Sequence, residues 1–67
     1  MLEAMKIYAE RDETGEAPIW IATSAEVIGL VVGAETLDAL WERLHLVVPN
    51  LMAANGQEGD WVLVVLG

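Results

Sequence analysis

The sequence predicts one small α+β domain of order β-β-β-α-β. A three-stranded antiparallel meander comes first, one helix packs on one face of the sheet, and a C-terminal strand completes it. Three observations predict this. Residues 36–56 repeat their apolar side chains at helical spacing, residues 4–10 alternate with a period of two, and residues 61–66 form a short run that is apolar at every position. A period near 3.6 marks a helix with one buried face, and a period of two marks a strand.

In residues 4–10, A-M-K-I-Y-A-E, the side chains of Met5, Ile7 and Ala9 share one face and those of Lys6, Tyr8 and Glu10 the other. Residues 11–18, R-D-E-T-G-E-A-P, are charged and hold Gly and Pro, so they read as a hairpin loop. Residues 19–24, I-W-I-A-T-S, are rich in β-branched and aromatic residues and read as a second strand. Residues 25–29 are a loop, and residues 30–33 a short third strand leading into the helix.

The helix has a readable start and stop. Thr36 can accept from the free N–H groups of the first turn, Glu35 and Asp38 suit the positive end of the dipole, and Asn55-Gly56 offers a left-handed stop. Leu37, Leu40, Trp41, Leu44, Val47, Val48, Leu51 and Met52 form the apolar stripe. At about 100° per residue they fit a sector of roughly 140°. Pro49 is the flaw, since an interior Pro costs roughly 3 kcal/mol against Ala. The expectation is a kink there, or one helix ending near Val48 and a short turn beginning at Pro49.

After a turn at residues 57–60, the strand at 61–66 returns, paired parallel to the first by a crossover. Trp61, Leu63 and Val65 on one side oppose Val62, Val64 and Leu66 on the other. A strand with one wet face should alternate. A second face or edge of this strand therefore calls for cover that one helix cannot give.

Composition narrows the function. A chain of 67 residues makes one domain, residues 1–67, and buries only about 60% of its unfolded surface. It has no cysteine and one histidine, so disulfides, thiolate metal sites and a zinc site are not expected, and no cofactor is implied. With 55% apolar residues, self-association is the remaining source of stability. Net charge is −8, and Lys6, Arg11 and Arg43 are the only cations, too few and too scattered to neutralise several phosphates. Direct nucleic-acid binding is not expected; an acidic surface suits solubility or a basic protein partner. No signal-peptide pattern and no apolar run long enough to span a bilayer is present, so a cytoplasmic protein without membrane contact is expected.

The stretch W-I-A-T-S-A-E-V-I-G-L-V-V-G-A-E-T-L-D-A-L resembles the HicB-like antitoxin superfamily. The family pattern runs aromatic-x-Ala-x-Ser, an acidic residue, an aliphatic one, Pro-Gly-Leu, then Glu-Thr-Leu-x-x-Leu. Trp20, Ala22, Ser24, Glu26, Val27, Gly29, Leu30, Glu35, Thr36, Leu37 and Leu40 match it. Val48-Pro49, Leu51, Asn55 and Gly56 resemble the short, single-domain group, and the likeness runs from about Met5 to Leu66. Ile28 stands where the family has Pro. The resemblance implies a reduced ribonuclease-H-like fold and a non-enzymatic antitoxin that forms dimers or tetramers and masks a small basic HicA-type ribonuclease toxin. Many HicB proteins carry a further DNA-binding domain; nothing in these 67 residues matches one, so operator binding is not carried over.

Candidate site residues fall into two groups. Trp20, Leu46, Trp61, Val62, Val64 and Leu66 are interface candidates. Trp is enriched at contact hot spots, and Leu46 points away from the core stripe. For the two Trp the plain alternative is core packing, and for Leu46 it is an ordinary exposed Leu. Glu10, Asp12, Glu13 and Glu16, with Glu3 nearby, form an acidic patch for a basic partner or a merely solvated loop. A two-metal nuclease site needs carboxylates converging from strand centres, and those centres hold Lys6, Tyr8 and Ala22 instead. His45 has no neighbouring nucleophile and reads as a helix-surface residue. Gly29 and Gly33 read as turn positions. The functional expectation is a self-associating antitoxin-like module; the alternative is a structural homo-oligomer without a toxin partner.

Overall fold

The structure, a computed structural model, describes residues 4–66. Its elements are β1 (Met5–Asp12), β2 (Ile19–Thr23), β3 (Val31–Ala34), α1 (Leu37–Asn55) and β4 (Trp61–Leu66). The four strands form one mixed sheet in the order β3-β2-β1-β4. β1–β2 and β2–β3 are antiparallel, and β4 returns parallel to β1. The α+β architecture and the β-β-β-α-β order expected from the sequence are both present.

β1 runs two residues further than the alternation predicts, because Arg11 and Asp12 pair with Trp20 and Ile19. β2 stops one residue early, since the Ser24 hydroxyl turns back to donate to the carbonyl of Lys6 at 2.6 Å. Gly33 is not a turn residue but lies inside β3, opposite Ile21. Gly29 does sit in a turn, at φ 80°.

α1 is a single helix that runs through Pro49. Of the two outcomes the proline allowed, the split does not occur. The Asn50 side-chain amide donates to the carbonyl of Leu46 at 2.9 Å, which gives an acceptor beside the interruption a second donor. At the N-terminus the Thr36 hydroxyl accepts from Ala39 N–H at 3.1 Å. At the C-terminus Gly56 takes φ 67°, its N–H donates to Ala53, and the Gln57 N–H donates to Met52. The left-handed stop that Asn55-Gly56 predicts is present, closed in the Schellman pattern.

The fully buried stripe is narrower than the predicted sector. Leu40, Leu44, Val48 and Met52 are buried, whereas Trp41 is 43% exposed and Val47 lies at the rim. The stripe covers Ile7, Ala9, Ala22 and Ala34 of the sheet, with Val27 and Leu30 closing the end of the core. Each large aliphatic side chain buried here contributes about 1.5–3 kcal/mol. The small residues at the sheet centre let the helix approach β2 and β3, the strands it lies against.

Candidate protein-binding surface

The face of the sheet away from α1 can be built row by row from the strand registers. Tyr8 stands between Thr23 and Val64, and Glu10 between Ile21 and Leu66. Lys6 adjoins Val62, and Asp12 adjoins Ile19. This face is not uniformly apolar. β1 runs through it as a polar ridge of Lys6, Tyr8, Glu10 and Asp12, with Ile19, Ile21 and Val31 on one side and Val62, Val64 and Leu66 on the other. Val62 is 43% and Leu66 39% exposed.

The six interface candidates therefore do not form one surface. Val62, Val64 and Leu66 share the outer face along β4. Trp20 lies on the helix side, half-buried against the core, as its plain alternative has it. Leu46 stands alone on the back of α1, 70% exposed. Trp61 also faces the helix side, where its ring meets Trp41 at 5.5 Å and His45 at 5.2 Å, and Trp41 and His45 meet edge to face at 4.5 Å. The sequence reading missed this cluster. Its signal was the i, i+4 spacing of Trp41 and His45, which places two rings side by side on a helix. His45 is a surface residue, as expected.

The acidic candidates split as well. Glu10 and Asp12 project from the outer face of β1, while Glu13 and Glu16 lie in the exposed hairpin. Asp12 accepts from both the hydroxyl and the N–H of Thr14, at 2.6 and 2.9 Å, and these bonds hold its carboxyl below the ordinary value of 3.8. Arg11 pairs with Glu13 at 3.2 Å. Glu3 lies outside the described residues. Among the described residues no group of three or more His, Cys, Asp or Glu is placed to hold a metal ion. No helix among them is long and apolar enough to cross a membrane.

Several residues that carried the sequence resemblance turn out to tie the loops to the sheet and helix. Glu26 accepts from the N–H of Lys6 at 3.1 Å, beside the Ser24 bond, so this pair completes the backbone of β1 where β2 has ended. Asn55 donates to the carbonyl of Ile28 at 2.8 Å. The Ile28 N–H in turn donates to Gln57 at 3.2 Å, a bond that a proline at this position could not make.

Residues 4–63 match the family described as Domain of unknown function (DUF1902). The chain belongs to the DUF1902 family. Among solved structures, the DUF1902 chain is similar to a protein described as hypothetical protein TTHA1013, from the extremely thermophilic bacterium Thermus thermophilus. The two share 31% identity at a TM-score of 0.65, over 91% of this chain and 86% of that one. No curated protein matches.

Proposed function

We propose that this DUF1902 domain is a non-enzymatic protein-binding module of the HicB-like antitoxin kind, which self-associates and masks a small basic ribonuclease toxin of the HicA type in the cytoplasm. The observation that carries this reading is the uncovered sheet face. Leu66 of β4, 39% exposed, lies beside Glu10, and the acidic hairpin adjoins the same end of β1. Apolar area with an anionic margin suits a partner that brings Lys and Arg around an apolar centre. Two of the three cations support the same reading, since Arg11 is engaged by Glu13 and Arg43 donates to the carbonyl of Gly33, which leaves Lys6 alone to attract phosphate.

Co-expression with a small basic toxin encoded beside this gene tests the reading. The expected result is co-purification at fixed stoichiometry and rescue of growth, with both lost in Glu10→Lys/Glu13→Lys. Failure to co-purify together with failure to rescue would remove the toxin-masking role. A second reading, a structural homo-oligomer with no toxin partner, is favoured by the uncharged edge of β4, which needs no foreign chain to be covered.

A further inference from the structure

The geometry points to a specific homodimer seam: β4 pairs antiparallel with β4 of a second copy about a two-fold axis at Val64, making one eight-stranded sheet. This rests on reading the chain as a self-associating module and names the surface and the register.

Four observations lead there. First, β4 is an outer strand of the sheet and spans six residues, none charged and none Pro. Natural edges are blunted by shortness, charge, Pro or a bulge, and β4 has none of these. Second, the free backbone groups can be identified. The Met5 N–H donates to the carbonyl of Asp60, and strand residues direct their backbone pairs alternately to either side. Val62, Val64 and Leu66 therefore spend their N–H and C=O groups on β1, while Trp61, Leu63 and Val65 direct theirs outward. Third, apolar surface borders this edge on both faces. Val62 and Leu66 are half exposed on the outer face, and Val65, on the helix side, is 47% exposed.

Fourth, charge is complementary across the seam when the axis lies at Val64. With Val64 opposite its own copy, Leu66 faces Val62 of the second copy. The rows then read Glu10–Leu66–Val62–Lys6 from one β1 to the other, with Tyr8–Val64–Val64–Tyr8 between them. Each Glu10 thus stands three strand spacings, about 14 Å, from the opposite Lys6, and the long side chains bridge the aliphatic strip from its rims. Leu63 and Val65 of the two copies then exchange backbone hydrogen bonds. Because the axis is perpendicular to the sheet, both helices lie on one face, with the two Trp41–His45–Trp61 clusters at opposite ends of the seam, about 20 Å apart along the strands.

The test uses the chain's lack of cysteine. Val64→Cys places two thiols on adjacent strands with Cα atoms about 4.5 Å apart, inside the range a disulfide spans. Mild oxidation is expected to cross-link it in high yield. Val62→Cys sits about 13 Å along the strand from its copy and is expected to stay uncross-linked. Light scattering should give a dimer mass for the unmodified chain, and hydrogen exchange should slow at the amides of Leu63 and Val65 as concentration rises. Lys6→Glu and Glu10→Lys should each weaken the dimer about fivefold, and the double swap should restore it. A monomer, cross-linking at Val62 rather than Val64, or unprotected Leu63 and Val65 amides in a dimer would each overturn the seam. A dimer that fails to capture a toxin leaves this seam standing and removes the toxin role; a monomer that still captures one does the reverse.

Discussion

At one edge of the sheet β3 is four residues long, contains Gly33 and lies against the helix. At the other, β4 is six residues long and meets the helix through the ring cluster of Trp61 with Trp41 and His45. The β3 edge is also capped: Arg43 reaches from α1 to donate to the Gly33 carbonyl at 2.6 Å, on the side turned away from β2. No equivalent cation reaches β4 among the described residues. A short, Gly-bearing, Arg-capped edge resists adding a strand, and a longer aliphatic one invites it. The difference shows that exposure alone does not mark a docking edge. Val31 on β3 is 73% exposed, more than any β4 side chain, yet its strand offers the poorer template.

The largest expected effect separates the half of the sheet under the helix from both edges. Leu44→Ala removes a fully buried side chain from the core and should cost roughly 2–5 kcal/mol in urea unfolding. Val31→Ala should cost less than about 0.5 kcal/mol at any protein concentration. A small cost for Leu44→Ala would mean that the helix does not hold the sheet, and the contrast between its two ends would lose its basis.

Next come the edges themselves. Val62→Lys and Val31→Lys place the same charge on opposite edges of one face. Val62→Lys is expected to halve the mass seen by light scattering and Val31→Lys to leave it unchanged. Arg43→Ala sharpens the same point. Losing the bond to Gly33 should cost about 1 kcal/mol. It also uncaps β3, so species larger than the dimer should appear in scattering. If Arg43→Ala gave no larger species, the capping role of this residue would fall, while the pairing of β4 would be untouched.

Much of this contrast could be read from the residues, and the parts that could not have identifiable causes. Thr36, Asn55 and Gly56 announced both helix ends, because caps depend on side chains close in sequence. The apolar run of residues 61–66 announced the strand β4. The polar ridge of β1 was also visible in Lys6, Tyr8 and Glu10, but its effect was not: that it divides the outer face depends on β1 lying between β2 and β4. Trp20 and Trp61 could not be assigned a face from composition, since only the registers set their orientation. Arg43 looked like a scattered cation until the helix placed it over Gly33. Ile28 looked like a bare departure from a proline pattern until its N–H met Gln57, 29 residues away. Contacts between residues far apart in the chain were the part that local pattern did not carry.

The smallest expected effect lies at the acidic end of β1, between the two edges, where Asp12 begins the hairpin to β2. Thr14 donates to its carboxylate twice, first and most strongly through the hydroxyl and then through the backbone N–H, and the carboxyl sits below its ordinary 3.8. A depressed carboxylate stabilises the fold above its unfolded pKa, and that contribution disappears as pH falls through the lower folded value. The window is therefore acidic, below about pH 4. Thr14→Val removes the hydroxyl donor and leaves the backbone one, so Asp12 should titrate closer to its ordinary value and the acid limb of the stability curve should flatten slightly. Carboxyl carbon shifts followed by NMR would show this directly. An Asp12 titration unchanged in Thr14→Val would mean that the hairpin carboxylate is solvated rather than held by its turn. The acidic margin beside β4 would then be loose charge without fixed geometry.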